Sequence, residues 1–116
     1  MKVAAVLEQM LSNHQIDNRK IGSYASCQMM INNQPLMGLV FICMNGDDFC
    51  VYDASMNNSI GECVYRCKLN EIQGLRFKPS LVFGSTRFDH NGNRFKFYNY
   101  SGSVFTDVFR QAGLIQ

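Results

Sequence analysis

The sequence predicts a mainly β protein of the α+β class, with a seven-stranded antiparallel sheet that curls toward a small barrel and a helix at each end of the chain. Three observations predict this fold. Residues 23–100 alternate apolar and polar side chains with a period of two. Polar turn sequences interrupt this alternation at short intervals. Helical periodicity is confined to the two ends. Because 116 residues without a composition break fit one domain, we expect a single domain over residues 1–116.

Residues 1–14 have the pattern of an amphipathic helix. Their apolar residues recur at the spacing i, i+3, i+4, i+7 and i+8: Val3, Val6, Leu7, Met10 and Leu11. Glu8 and Gln9 interrupt the apolar run, which therefore lacks the core of a secretory signal. No segment approaches the roughly 20 apolar residues of a membrane helix. We therefore expect a cytoplasmic protein without a transmembrane segment.

The period-two pattern begins at Ser23 and predicts three strands before residue 55. The first strand turns Ala25, Cys27, Met29 and Ile31 to one face, and residues 32–35 form a polar turn. Residues 36–44 are apolar on both faces, so we expect this strand to be covered on both sides. Residues 45–48 predict a hairpin that leads into the return strand 49–54. Residues 55–61 form a longer loop.

The second half of the chain predicts four more strands. In the first of them Cys63, Tyr65, Cys67 and Leu69 point inward, and Glu62, Arg66 and Lys68 point outward. A short strand follows with Leu75 and Phe77 inward. Residues 80–88 form the next strand, and residues 89–93 a hairpin turn. The last strand places Phe95 and Phe97 inward.

Residues 103–112 predict a closing helix. Its apolar stripe consists of Val104, Phe105, Val108, Phe109 and Ala112. Gly113 stands where a helix commonly ends with a glycine. Because this stripe needs an apolar partner surface, we expect it to close the open end of the curled sheet.

This order of elements resembles the pleckstrin-homology-like (PH-like) fold and is most similar to small bacterial PH-like domains. The resemblance is carried by the strand 38–42, the stretch 65–75, the strand 95–98 and the helix 104–109, and it covers about four-fifths of the chain. It implies a binding module without catalysis. Lipid-binding members hold the headgroup with basic residues on the first strand and the loop after it. Here that loop, residues 32–35, has no Lys or Arg, which disfavours a phosphoinositide ligand. The N-terminal helix lies outside the family pattern and either packs on the sheet or mediates association.

The residue types argue against catalysis, metals and cofactors. The five cysteines form no CxxC pair and lie in apolar runs, which predicts free, buried thiols and no zinc site: Cys27, Cys43, Cys50, Cys63 and Cys67. No glycine-rich phosphate loop and no nucleophile motif is present. We therefore predict neither enzyme activity nor a cofactor. His90, beside Asp89 in the predicted turn, and the buried cysteines leave a small enzyme as an alternative.

Basic residues concentrate in the second half of the chain. The net charge is +2, with −2 over residues 1–58 and +4 over residues 59–116. Six outward cations are candidate anion-binding residues: Arg66, Lys68, Arg76, Lys78, Arg94 and Lys96. Because strand 80–88 offers only Arg87, we expect it to separate the basic pairs and to weaken a continuous track for phosphates.

The favoured function is therefore protein or peptide binding, and a homo-oligomer is one option for the partner. Several methionines around residues 29–44 would fill the core or line an adaptable apolar groove. An anionic ligand, either a lipid headgroup or nucleic acid, remains the alternative through the outward cations, although the broken track disfavours nucleic acid.

Overall fold

The computed structural model describes residues 3–16, 21–54, 60–78 and 83–115. Within these ranges the protein is mainly β, with seven antiparallel strands in one sheet and a helix at each end, so the predicted fold class is confirmed. The elements in chain order are α1 (Val3–Ser12), β1 (Gly22–Ile31), β2 (Gln34–Asn45), β3 (Asp48–Ala54), β4 (Ile60–Lys68), a 3₁₀ turn (Leu69–Glu71), β5 (Gln73–Lys78), β6 (Gly84–His90), β7 (Asn93–Tyr100) and α2 (Gly102–Gln111).

The sheet has the strand order β4-β3-β2-β1-β7-β6-β5 and is strongly curled. The edge strands β4 and β5 are not paired with each other in the described residues, so the sheet is not a closed barrel. Phe49 on β3 and Phe88 on β6 are four strands apart, which in a flat sheet corresponds to about 19 Å. Their ring centroids are nevertheless 5.7 Å apart. Side chains of distant strands therefore meet in one core on the concave, inner face.

The hairpin turns are shorter than the sequence predicts. Asn32 and Asn33 form a two-residue turn with φ values of 52° and 64°, and Asn91 and Gly92 form another with φ values of 50° and 80°. Asparagine and glycine tolerate this left-handed conformation, and such turns match the twist of the paired strands. Gln34 and Pro35, and likewise the residues at 89–90, therefore belong to strands and not to turns.

Helix α2 packs on the inner face, as its apolar stripe predicts. Phe105, Val108 and Phe109 are buried in the core that the inward side chains of the sheet form. The ring of Phe105 lies 5.9 Å from that of Phe49, and Phe109 lies 4.8 Å from Phe77. The helix ends with Gly113 at φ 76°, and the amides of residues 113 and 114 donate to the carbonyls of residues 110 and 109. This is a glycine-terminated Schellman end.

Helix α1 packs on the opposite, outer face of the same sheet. Val6, Leu7 and Met10 are buried in a second cluster with the outward side chains of β2 and β3, among them Phe41 and Tyr52. The hydroxyl of Tyr52 donates to the carbonyl of Gln15 at 2.9 Å, just after the helix. The N-terminal helix therefore covers its own sheet.

Strand β2 is covered on both faces only along its second half. Residues 40–44 are all buried, between α1 on one side and the inner core on the other. Leu36 and Met37, near the hairpin end, are 37% and 68% exposed. The prediction that residues 36–44 are covered on both sides is thus wrong for the first part of the strand. Met37 is on the outer face, where α1 does not extend over the hairpin, and Leu36 is on the inner face at the margin of the core.

A register shift in β4 reverses one predicted side chain. Val51 pairs with Tyr65, but the next residue of β3, Tyr52, pairs with Cys63, so β4 has one extra residue here. Tyr65 and Cys67 point inward as predicted, whereas Cys63 lies on the outer side and is exposed. A bulge of this kind shifts the alternation by one residue. Most of the predicted loop 55–61, and residues 79–82, lie outside the described residues.

Candidate functional site

Three cations stand side by side on the outer face of neighbouring strands. Arg76 on β5 pairs in register with Arg87 on β6, and Arg87 pairs with Lys96 on β7. Because directly paired residues of antiparallel strands point to the same face, the three side chains form one line across the sheet. We call Arg76, Arg87 and Lys96 the basic row. Arg87 thus joins the basic pairs that its strand was expected to separate.

Two more cations flank the basic row on the same face. Arg94 on β7 lies opposite Asp89, and Lys78 on β5 lies opposite Ser85. The structure therefore brings four of the six predicted candidates together: Arg76, Lys78, Arg94 and Lys96. It adds Arg87, whose position in register the pattern of a single strand cannot give.

The other two candidates, Arg66 and Lys68, lie on β4, the edge strand at the other end of the strand order from β5. The Nε of Arg66 donates to the Oδ2 of Asp48, and the Nζ of Lys68 lies 3.7 Å from the Oδ1 of the same carboxylate. The hydrogen bond to Asp48 raises the pKa of Arg66. This pair of cations is neutralised in part within the protein and does not extend the basic row.

The basic row has no such partner. Among the described residues, ion pairs join Asp48 to Arg66 and Lys68, and Asp107 to Arg110, and none involves the row. Like charges directly opposite each other destabilise a sheet. The Nζ of Lys96 lies 5.6 Å from the centre of the Tyr98 ring, a contact that satisfies the cation only in part. The row is therefore a concentrated positive charge without an ion-pair partner among the described residues.

The basic row borders a groove with an apolar end. This groove, of about 730 Å³, extends from Arg76, Arg87 and Lys96 to the β1–β2 hairpin. At the hairpin it is lined by Met30 and Met37, which are 43% and 68% exposed. We call these two residues the methionine pair. Exposed methionines of this kind offer a flexible apolar contact.

His90 lies in strand β6 and is buried, whereas the sequence predicts it in the hairpin turn. It ends β6, is only 7% exposed, and its Nδ1 lies 2.6 Å from the hydroxyl of Tyr65. The side-chain Nδ2 of Asn93 donates to the same hydroxyl at 3.1 Å. The backbone amide of Asn32 donates in turn to the Oδ1 of Asn93 at 3.0 Å. This network connects β4 to the β6–β7 hairpin and to the β1–β2 turn. The two-residue turn at residues 91–92 explains why His90 lies in the strand.

The cysteines are free in the described structure, and four of the five are buried, with Cys63 the exception. Burial raises the pKa of Cys50 and of Cys67 to about 12, and it also raises the pKa of Cys27. These thiols stay protonated near neutral pH, and a protonated thiol is a poor nucleophile. Within the described ranges no group of three or more His, Cys, Asp or Glu side chains is arranged to hold a metal ion.

Comparison with known proteins does not assign the chain to a family. Set against family models, curated proteins and solved structures, the chain gives no match. In the part of the chain that the structure describes, neither helix is long and apolar enough to cross a membrane. Function is therefore inferred from the side chains and contacts described above.

Proposed function

We propose that this protein is a non-catalytic binding module of the PH-like type, similar to small bacterial members. It binds an acidic segment of a protein partner on the outer face of β5, β6, β7 and the β1–β2 hairpin. The curled seven-stranded sheet with a C-terminal helix over its inner face is the arrangement expected of that type. The free thiols suit the reducing environment of the cytoplasm, which we propose as its location.

The observation that carries this proposal is the basic row itself. Arg76, Arg87 and Lys96 are in register on adjacent strands, and no carboxylate of the described residues pairs with them. Such a row costs stability, because each cation repels its neighbour across the strand pair. Carboxylates of a partner would relieve this repulsion and bind by charge-assisted hydrogen bonds.

The groups that an enzyme would use are already engaged in the fold, which supports a binding role. The Nδ1 of His90 is hydrogen-bonded to Tyr65. Burial keeps Cys50 and Cys67 protonated, with pKa values raised to about 12. A small enzyme built on His90 or on a buried cysteine would need these contacts to break.

The side chains beside the basic row favour a protein over nucleic acid. Single-stranded nucleic acid is held by aromatic rings that stack on its bases. In this groove the exposed apolar residues are Met30 and Met37, and Tyr98, the ring nearest the row, is half-buried and has Lys96 over it. Methionines suit peptide side chains better than bases.

A comparison of two double variants tests the proposal. The probe is a fluorescently labelled peptide of six glutamates, and binding is followed by anisotropy at about 50 and about 200 mM salt. Arg76→Gln with Arg87→Gln should lower the affinity about tenfold, since exposed charge contacts contribute about 0.2–1 kcal/mol each and a row acts together. Arg66→Gln with Lys68→Gln removes the same net charge and should leave the affinity within about twofold.

Two results would contradict the proposal. If both double variants lose affinity equally, the peptide responds to net charge and not to the basic row. If the unmodified protein does not bind the glutamate peptide even at the lower salt concentration, the row is not a site for an acidic segment.

A further inference from the structure

We infer that this face reads a two-part segment: carboxylates that lie on the basic row, followed about three residues later by an apolar side chain that packs on Met37 and Met30. This inference rests on the proposed function and adds the order and spacing of the groups in the partner. It concerns an extended peptide that crosses the strands and does not add a strand to an edge.

The first step is that the cations and the exposed methionine lie on one line. The register that joins Arg87 to Lys96 continues from Lys96 to Gln28 on β1, and from Gln28 to Met37 on β2. Paired residues of neighbouring strands share a face. The line therefore changes along its length from positive to neutral polar to apolar.

The second step is the length of this line. Strands in a sheet are about 4.8 Å apart, so the path along the sheet is about 19 Å from Arg76 to Met37 and about 10 Å from Lys96 to Met37. An extended peptide advances about 3.3 Å per residue. The whole line thus matches about six residues, and the interval from the last cation to the methionine matches about three.

The middle of the line suits a peptide backbone. Gln28 is exposed between Lys96 and Met37 and lines the same groove. Its side-chain amide can both donate and accept a hydrogen bond, as can a peptide group that crosses it. A positively or negatively charged residue in place of Gln28 would restrict which peptide residues could follow the carboxylates.

The third step concerns the apolar end. Among the described residues, Met37 is the most exposed large hydrophobic side chain, at 68%. Met30, two residues along β1 from the partner of Met37, is 43% exposed. An apolar side chain seated between them would bury area that now contacts water, which is favourable in proportion to that area. The flexible thioether side chains can adapt to leucine or a similar residue.

The arrangement of charges favours carboxylates over phosphates. The basic row offers one cation per strand in a line, which suits separate single charges along a chain, whereas a phosphate is best held by cations that converge on it. Asp89 also lines the groove, opposite Arg94, and its carboxylate would repel a dianion more strongly than a single negative charge.

Three labelled peptides of equal length and charge test this inference by anisotropy. The first has three glutamates, two serines and a leucine; the second has serine in place of the leucine; the third has the leucine directly after the glutamates. The first should bind about fivefold more tightly than the other two, which corresponds to partial burial of one leucine side chain. In the Met37→Ser variant all three should bind alike, and Met37→Leu should keep the preference.

The outcomes separate this inference from the proposed function. If the three peptides bind equally and Arg87→Gln weakens all of them, the acidic site stands and the two-part reading is wrong. If none binds, the proposed function itself fails. A phosphoserine peptide or an oligonucleotide of the same charge that binds more tightly than the first peptide would overturn the choice of a carboxylate segment. A dimer of the free protein that Met37→Ser dissociates would identify a second copy as the occupant.

Discussion

The two halves of the outer face of this sheet are built in opposite ways. Over β2 and β3, helix α1 covers the outward side chains, and Phe41 and Cys50 beneath it are as buried as residues of the inner core. Over β5, β6 and β7 no described element covers the face, and Arg76 and Arg87 are exposed there. The comparison indicates that α1 packs on one half of the face, whereas no described element covers the other half.

Charge follows the same division. On the half that carries α1, Arg66 and Lys68 share the carboxylate of Asp48. On the open half, Arg76 and Arg87 face each other, and no ion pair of the described residues involves either of them. A sheet that only had to fold would gain from a carboxylate between them. The proposed binding of an acidic segment would account for this difference, because residues that serve binding often reduce stability.

Truncation of one methionine in each half should give the largest contrast. Met10 on α1 is 1% exposed and packs on the covered half, so Met10→Ala should lower the free energy of unfolding by about 3 kcal/mol. Met37→Ala, at the uncovered β1–β2 hairpin end that adjoins the open half, should change it by less than about 0.5 kcal/mol. Urea denaturation measures both. Equal losses would mean that the hairpin end is packed against something in solution.

Alkaline pH should destabilise the protein through thiols that the fold keeps protonated. The pKa of Cys50, beneath α1, is raised to about 12, whereas in an unfolded chain a thiol has a pKa of about 8.5. The stabilising contribution is therefore complete below about pH 8.5 and is lost as the pH rises toward 12, by about 1.4 kcal/mol per pH unit for each such thiol.

Urea denaturation at pH 8 and pH 10 measures this loss, and Cys50→Ala should reduce it. A Cys50→Ala variant with the full loss would show that this thiol is ionised in the folded protein.

Removal of the Tyr65 hydroxyl should weaken the contact between β4 and the β6–β7 hairpin. In Tyr65→Phe both His90 and Asn93 lose a hydrogen-bond partner, which should cost about 1–2 kcal/mol. Tyr98→Phe is the matched control, because Tyr98 is half-buried on the outer face of β7, away from this network, and it should cost less than about 0.5 kcal/mol. Thermal denaturation checks both. If the two variants melt together, the network does not hold β4 against the rest of the sheet.

Neutralising one arginine in each half should give small effects of opposite sign. Arg87→Gln removes the centre of the basic row and should raise the free energy of unfolding by about 0.2–0.5 kcal/mol at low salt. Arg66→Gln loses the contact with Asp48 and, because that contact is exposed, should lower it by about 0.2–1 kcal/mol. Denaturation at about 20 mM salt compares them. A loss of stability in Arg87→Gln would mean that the row is compensated.

Periodicity predicted most of the fold. The alternation at Phe95 and Phe97, and the stripe at Phe105 and Phe109, give the strands, the helices and their buried faces, because these patterns are local and repeat. The sequence predicts the strand ends less well. The two-residue turns at 32–33 and 91–92 are shorter than the polar segments around them, so the neighbouring polar residues belong to strands. The bulge that exposes Cys63 is not visible in the alternation of apolar and polar residues, because it depends on how β4 pairs with β3.

The site was predicted only in part. Most of its cations were recognised as outward residues, yet their grouping required the register of β5, β6 and β7, which joins residues far apart in the sequence. For the same reason the sequence predicts that the strand of Arg87 separates the basic pairs, whereas the structure places Arg87 at the centre of the row. The apolar strand predicts that Met37 is covered, and only the position of α1 shows that this end is open.

The most direct test of the open face as a binding surface is an NMR titration of the ¹⁵N-labelled protein with the glutamate–serine–leucine peptide. Amide shifts should change at Arg76, Arg87 and Lys96 and extend to Met37, while the amides of α1 and of β4 around Arg66 stay unchanged. Shifts concentrated at β4 or α1, with none along the basic row, would contradict the account.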